Sequence, residues 1–109
     1  MKKSEPNLEV PKTIAGLDRL VHEPARLSIL AVLSVVESAD FIFLMRQTEM
    51  TSGNLSTHLT KLESAEYVEI KKEFVDKIPR TLVRLTGKGR EAFEDYRKQV
   101  LSVLRNPKK

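Results

Sequence analysis

The 109-residue chain contains no cysteine and no long apolar run. The absence of cysteine excludes disulfide bonds, thiolate metal sites and thiol redox switches. The longest apolar stretch, residues 27–36, is interrupted by Ser28 and Ser34 and is too short to span a bilayer. The first residues, Met1 to Pro6, offer no apolar segment for a signal peptide. We therefore expect a cytoplasmic protein.

The chain also lacks the motifs of common enzymes. It shows no nucleophile–base pair, no paired-carboxylate motif and no phosphate-binding glycine loop. Residues 87–89, Gly-Lys-Gly, are too few for such a loop and fit a corner between a strand and a helix. The sequence therefore predicts neither an enzyme nor a bound cofactor. The net charge of +4 permits a polyanionic partner without requiring one.

What is present is a series of short amphipathic segments whose total length suits one domain. Residues 1–11 are mostly polar and predict a flexible arm, which leaves a domain over residues 12–105. A helical period begins at Thr13 and ends at Pro24, a good first-turn residue for a second helix. This second helix is apolar nearly all round as far as Val36, as is typical of a central core helix.

Two further helices are predicted in the middle of the chain. Phe41 opens a short strand or lead-in, followed by a short helix that ends near Thr48. After a tight turn, Thr51 and Ser52 offer good N-cap side chains for a helix over residues 52–65. Two short helices joined by a tight turn are typical of a helix-turn-helix.

After Glu66 the apolar residues recur at every second position, which predicts strands. One strand starts at Tyr67, a second covers residues 81–85, and a charged turn at residues 76–79 joins them. Each strand is expected to be about six residues long, and a last helix starts at Gly89. The predicted fold is mainly α with a β-hairpin wing, a winged helix-turn-helix of order α-α-α-α-β-β-α.

The helix over residues 52–65 has two contrasting faces. Leu55, Leu59 and Leu62 recur at i, i+4 and i+7 and form an inner face. The opposite face carries short polar side chains and almost no acid, whereas a purely solvated helix more often carries Glu and Lys. Such side chains suit base edges in a major groove about 12 Å wide. The predicted groove-facing residues are Asn54, Ser56, Thr57, Thr60 and Lys61, and Ser52 at the start of the helix is predicted to bind DNA beside them. The alternative is a capped helix whose polar face is only solvated.

Basic residues cluster on the hairpin. We predict that this wing, about residues 71–81, follows DNA phosphates or reaches into the minor groove. Lys77 and Arg80 lie nearest the turn, and Pro79 is expected to stiffen it. The predicted contact residues are Lys71, Lys72, Lys77 and Arg80. Charge on a solvated hairpin is common, so the alternative is a charged surface without a ligand.

The two histidines do not indicate a metal site. Such a site needs three or four ligands, whereas His22 and His58 lie far apart in sequence and no cysteine accompanies them. We expect His58, at the flank of the predicted recognition helix, to bond a phosphate or a backbone carbonyl. We expect His22 at a helix end, where the helix dipole favours it.

Three blocks of the sequence resemble winged-helix regulators of the MarR and ArsR types from bacteria and archaea. SGNLSTHLTKLE, at residues 52–63, resembles the recognition helix of these regulators. LTGKGREAF, at 85–93, resembles the segment that leaves the wing, and HEPARLSIL, at 22–30, resembles their first core helix. The blocks follow the family order over residues 20–95. Glu66 departs from the pattern, since many relatives have Gly there.

This resemblance implies a transcriptional regulator that binds a pseudo-palindromic DNA site as a homodimer, with one recognition helix in each half-site. It implies that the groove-facing residues are those found from the two faces of the helix, and that the wing contacts the DNA backbone. Relatives often bind small ligands near the dimer interface. The residues of this chain identify no effector, so this point stays open.

The terminal helices offer more apolar surface than a small domain needs for its own core. Exposed patches of that size usually mark an interface. An isologous contact between these helices would place two recognition helices about one duplex turn apart. The alternative is packing within one chain. The predicted interface residues are Ile14, Leu17, Leu20, Val21, Tyr96, Val100, Leu101, Val103 and Leu104.

The main alternative function is a winged-helix module that binds protein without binding DNA, since a fold does not fix a function. Such modules tend to place apolar or acidic residues on the face in question. The Asn, Ser, Thr and Lys residues found there favour DNA.

Overall fold

The computed structural model describes residues 16–105, which form four helices and three strands. Their bounds are α1 (Pro24–Leu33), β1 (Ala39–Asp40), α2 (Phe41–Thr48), α3 (Ser52–Ser64), β2 (Val68–Val75), β3 (Ile78–Leu85) and α4 (Gly87–Arg105). This succession confirms the predicted winged helix-turn-helix. None of these described helices combines the length and the apolar character needed to cross a membrane.

The predicted first helix is wrong in its described part. Gly16 has 3-10 geometry and residues 17–23 form bends and turns, while residues 13–15 and the predicted arm at 1–11 lie outside the described residues. The Asp18 carboxylate accepts hydrogen bonds from the N–H groups of Leu20 and Val21, at 2.9 and 3.3 Å. Such local bonds offer the backbone an alternative to a helix, and Pro24 favours an extended residue before it. The periodic apolar residues in the described part, Leu17, Leu20 and Val21, therefore lie on a turn.

A tight turn sets α3 against α2. Glu49 ends α2 in the left-handed conformation, with φ 57, and the Met50 N–H donates to the Met45 carbonyl at 3.2 Å. The Thr51 hydroxyl then accepts a hydrogen bond from the Asn54 N–H at 3.1 Å and caps α3. The cap predicted at Thr51 is confirmed.

The wing is longer and its turn is tighter than predicted. Asp76 and Lys77 alone form the turn, and their positive φ values of 52 and 66 are those of a type I′ hairpin. Ile78 and Pro79, which were expected in the turn, instead open β3. Both strands therefore have eight residues rather than about six. The short β1 pairs with the other edge of β3, in the order β1-β3-β2.

One hydrophobic core holds these elements together. Leu55, Leu59 and Leu62 of α3 are all buried, which confirms the predicted inner face. They pack in one cluster with α1, α2, the sheet and the first half of α4. Because the whole inner face of α3 is used in this way, only its opposite face is available to a ligand.

Three residues predicted for a dimer interface lie in this core instead. Leu17, Val21 and Tyr96 are only 4%, 0% and 6% exposed. The turn at residues 16–23 reaches α4, where His22 Nδ1 and the Tyr96 hydroxyl are 2.5 Å apart. Side chains that their own chain covers offer no surface to a second chain, so the prediction is wrong for these three.

The remaining interface candidates differ in exposure. Leu101 and Leu104 are exposed on α4, and Leu20 and Val100 are half-buried. Val103 is only 8% exposed, so the prediction is wrong for this residue as well. Ile14 lies outside the described residues.

A close backbone contact connects α3, the wing and α4. Glu66 reverses the chain after α3 with φ 65, and the Tyr67 N–H donates to the Leu62 carbonyl at 2.9 Å. The Tyr67 carbonyl accepts the Thr86 N–H at 3.0 Å. A Cβ atom on Gly89 would lie 2.0 Å from that carbonyl oxygen, so the first turn of α4 requires glycine at this position.

Candidate nucleic-acid interface

The side of α3 opposite the core is exposed along its whole length. We define the polar face of α3 by the five residues predicted to face a groove together with Ser52, and the structure leaves each of the six exposed. They are Ser52, Asn54, Ser56, Thr57, Thr60 and Lys61. No carboxylate belongs to this set, although Glu63 lies beside it. Five of the six side chains are short and uncharged and Lys61 is cationic, so this surface allows a close approach to a polyanion.

The hydroxyl groups on this face are oriented by the helix backbone. Thr57 Oγ1 donates to the Gly53 carbonyl at 3.0 Å, and Thr60 Oγ1 donates to the Ser56 carbonyl at 2.9 Å. With its proton used in this way, each hydroxyl oxygen offers only its acceptor capacity to a ligand. Phosphate oxygens only accept, whereas the exocyclic amino groups of adenine and cytosine donate in the major groove. The two threonines are therefore suited to bases rather than to phosphates.

His58 does not belong to the polar face. It is half-buried, and its Nδ1 lies 3.3 Å from Nη1 of Arg26 on α1, a different partner from the predicted phosphate or carbonyl. Arg26 Nε also donates to the Leu20 carbonyl at 2.6 Å. Burial raises the pKa of the nearby Glu23 carboxyl, but the Arg26 N–H bond and the charges of His58 and Arg26 outweigh it, so the pKa is lowered. His58 thus connects α3 to the start of α1.

The two faces of the wing carry different basic residues. Lys72 and Thr81 face α3 across a cleft of about 570 Å³ that Ser56 and Thr60 also line. Side chains alternate along a strand, so Lys71 lies on the opposite face. Lys71 Nζ lies 4.0 Å from Glu73 there.

Ion pairs within the chain occupy some of the predicted wing cations and leave others available. Arg80 Nε lies 3.5 Å from the carboxylate of Asp40, the residue that also caps α2. Lys72 and Lys77 are exposed and form no ion pair with any residue between 16 and 105. These two lysines are therefore the wing cations most available to phosphates, whereas the sequence had favoured Lys77 and Arg80.

Sequence reasoning missed an apolar element of the wing. Phe74 and Ile78, which flank the turn, are 74% and 63% exposed. An aromatic residue in an alternating strand usually indicates core. The position of Phe74 along β2 explains its exposure. It lies four residues beyond Ile70, the last β2 residue on that face that packs against the core, so the core ends before Phe74 is reached.

A separate cavity lies between α4 and the turn at residues 16–23. The Tyr67 hydroxyl donates to Asp18 Oδ2 at 3.1 Å inside it. Burial, together with the Asp18 charge and this hydrogen bond, raises the pKa of Tyr67, so the phenol stays protonated at neutral pH. The cavity measures about 300 Å³ and is lined by Asp18, Tyr67, Lys88, Glu91, Ala92, Asp95, Tyr96 and Gln99.

Comparison with known proteins identifies the class of this chain. Residues 25–104 match the family described as winged helix DNA-binding domain, so the chain belongs to that family. It is 35% identical over 88 residues to the uncharacterized protein MJ0432 of Methanocaldococcus jannaschii. The matched region covers 81% of this chain and 96% of that protein.

Comparison with solved structures shows which winged-helix proteins this chain resembles. The transcriptional regulator homologue from Pyrococcus horikoshii OT3 has a TM-score of 0.75 and 29% identity, over 79% of this chain and 85% of that one. The PcaV transcriptional regulator from Streptomyces coelicolor, solved with its natural ligand, shares the fold with a TM-score of 0.71 and 12% identity, over 84% and 63% of the two chains. These neighbours are MarR-family regulators, which confirms the resemblance predicted from the sequence. The chain is a MarR-like winged-helix transcriptional regulator, and its family is not one of enzymes.

Proposed function

We propose that this regulator binds specific double-stranded DNA sites as a homodimer, with α3 in the major groove and the wing on the backbone or in the minor groove. The observation that carries the proposal is the polar face of α3, which is exposed beside the Lys72 side of the wing. One duplex surface contacts both if α3 lies in the groove and the wing crosses the neighbouring phosphate strand.

The two parts have different roles in this proposal. Asn54, Thr57 and Thr60 offer the acceptors and the amide that base edges recognise, and we assign them discrimination between sequences. Lys72 and Lys77 offer charge without directional specificity, and we assign them attraction to any duplex.

Two exposed leucines support a dimer contact through α4. Leu101 and Leu104 lie one turn apart on its outer side and are 47% and 68% exposed. A second copy that covered them would add an isologous contact at the end of the domain. Two half-sites about 34 Å apart would then face the two copies of α3.

A small-molecule effector is a further part of the proposal. PcaV was solved with a natural ligand, and this chain has a polar-lined cavity of about 300 Å³ between α4 and the turn at residues 16–23. Because α4 supplies most of its lining, a ligand there would contact the helix proposed to form the dimer. NadR was solved with 4-hydroxyphenylacetate and BpsR is regulated by 6-hydroxynicotinic acid. Thermal unfolding measured with these two aromatic acids tests this part, and no stabilisation by either would contradict it for that class.

The binding mode is tested by fluorescence anisotropy with a duplex selected from a random pool. We expect tight binding at low salt and a linear fall of log K with log salt, because counterions are released. A random duplex of the same length should bind more weakly than the selected duplex. Its log K should fall with log salt by the same amount for each phosphate contact. Equal affinity for both duplexes would contradict sequence-specific binding.

The dimer is tested by light scattering after size exclusion. We expect twice the single-chain mass of 12.4 kDa for the wild type. The double variant Leu101→Ser/Leu104→Ser should be monomeric. Lys98→Ser, an exposed site on the same helix, is the matched control and should leave the dimer intact. A wild type that is monomeric at the concentrations at which it binds DNA would contradict this part.

A further inference from the structure

The wing ends in apolar side chains that the core does not use. Phe74 and Ile78 are among the exposed large hydrophobic residues of the chain, although both are strand residues beside the turn. Contacts with phosphates need charged or polar groups, so such contacts do not explain these side chains. A ring exposed at the end of a hairpin is available for contact with a partner.

The hairpin holds Phe74 in a defined position. A two-residue turn at Asp76 and Lys77 matches the natural twist of its strands. The strand pair next to such a turn is hydrogen-bonded, and the next pair, Phe74 opposite Pro79, is not. Pro79 therefore loses no bond to β2 by lacking an N–H. Side chains in such a pair lie closest, with Cβ atoms about 4.5–5.5 Å apart, so Pro79 supports one side of the phenyl ring.

Phe74 lies on the α3 side of the wing. Side chains alternate along β2, so Phe74 shares a face with Lys72, which borders the cleft shared with Ser56 and Thr60 of α3. A strand advances about 3.3 Å per residue, so Phe74 lies about 7 Å beyond Lys72 and farther from α3. If α3 occupies a major groove, Lys72 meets the adjoining phosphate strand and Phe74 reaches the minor groove behind it.

Charge and area favour DNA over protein as the partner of Phe74. Lys72, Asp76 and Lys77 lie within three residues of it and carry a net positive charge, while Glu73 points to the opposite face and lies 4.0 Å from Lys71. One aromatic ring buries on the order of 200 Å². A stable protein interface needs roughly 800 Å² from each partner. A single ring between lysines fits a base step between two phosphate strands.

We propose that the wing inserts Phe74 into the minor groove as a wedge between two base pairs, which partly unstacks them and bends the duplex. The proposal rests on the DNA-binding mode given above. Pyrimidine–purine steps unstack most easily. The wedge therefore adds a preference for such a step beside each half-site, at a position that α3 does not touch.

The test uses the full chain and a selected duplex in which 2-aminopurine replaces one adenine at a time. The fluorescence of this base rises when its neighbours unstack. Phe74→Ala removes the wedge, and Phe74→Leu keeps an apolar one. Ile78→Ala removes an exposed apolar side chain from the opposite face and is the matched control.

We expect the wild type, Phe74→Leu and Ile78→Ala to raise the fluorescence at one step beside each half-site. Phe74→Ala should abolish this rise and weaken binding about tenfold for each ring lost. Its salt slope should equal that of the wild type, because no charge has been removed.

The contrary outcomes are distinct. An undiminished fluorescence rise with Phe74→Ala would overturn the wedge and leave the binding mode intact, and so would an equal loss with Ile78→Ala. A changed molar mass of the DNA-free Phe74→Ala protein, with fluorescence unchanged, would assign the ring to a protein contact. Failure of the wild type to bind any selected duplex would overturn the binding mode and the wedge together.

Discussion

The polar face of α3 and the wing lie side by side but carry different kinds of side chain. Apart from Lys61 the polar face consists of short side chains, and the hydroxyls of Thr57 and Thr60 are fixed by helix carbonyls at about 3 Å. The wing carries long cationic side chains, and Lys72 and Lys77 extend from it without a carboxylate partner among the described residues. Fixed short groups discriminate between ligands by geometry, whereas mobile charges attract any polyanion.

This contrast explains why α3 uses residues that disfavour a helix. Ser, Thr and Asn lower helix propensity by a few tenths of a kcal/mol each. The core stripe of Leu55, Leu59 and Leu62 offsets this cost, because each buried leucine contributes roughly 2 kcal/mol. The inner face therefore allows the outer face to be chosen for recognition.

The largest effect is expected at the contact that sets both regions in place. Gly89→Ala forces a Cβ atom against the Tyr67 carbonyl and should lower the free energy of unfolding by about 3 kcal/mol, with DNA binding lost as a consequence. Gly87→Ala is the control, because a Cβ atom there meets nothing within 4 Å. Chemical denaturation measures both, and equal stability of the two variants would contradict the account of this contact.

The next largest effect is expected from a carboxylate on the polar face of α3. Thr57→Glu places a negative charge against the phosphates and should abolish binding to selected and random duplexes alike. Ala31→Glu introduces the same charge at an exposed position of α1 and should weaken binding only slightly. Anisotropy with both duplexes measures the effect. Wild-type binding by Thr57→Glu would show that this face does not meet DNA.

A smaller effect, visible mainly as salt dependence, is expected from the wing. In a dimer, Lys72→Ala/Lys77→Ala removes four phosphate contacts and should make the log K against log salt slope shallower by about 3.6. Lys71→Ala is the control, since Lys71 lies on the far face of the wing beside Glu73. A slope that Lys71→Ala changes as much as the double variant would contradict the assignment of faces.

The smallest effect is expected at the corner between the two regions. Glu66 is held at φ 65, so Glu66→Gly should raise the free energy of unfolding by about 1 kcal/mol and leave DNA binding unchanged. The exposed pair with Lys88, 3.8 Å apart, contributes little. Glu63→Gly, inside α3, should lower stability by about 1 kcal/mol instead. Thermal unfolding compares the two, and a destabilised Glu66→Gly would be contrary evidence.

The sequence predicted what depends on local periodicity. The leucine stripe of α3 and the cap at Thr51 were both found, because spacing and residue type decide them. The turn at residues 16–23 was mistaken for a helix, since its apolar spacing suits either and the Asp18 hydrogen bonds decide between them.

Side-chain contacts between residues far apart in the chain could not be predicted from the sequence. The bond between Arg26 and His58 and the ion pair between Arg80 and Asp40 join residues far apart in the chain, and neither was predicted. The exposure of Phe74 depends on where the core ends along β2, which alternation alone does not reveal.

The central claim, that α3 discriminates and the wing attracts, is tested most directly by comparing Asn54→Ala with Lys72→Ala/Lys77→Ala on selected and random duplexes across a salt series. Asn54→Ala should reduce the preference for the selected duplex by about 1–3 kcal/mol for each base contact and keep the wild-type salt slope. The lysine variant should lose slope equally on both duplexes and keep the preference. If both variants reduced preference and slope in the same proportion, the division between the two regions would be contradicted.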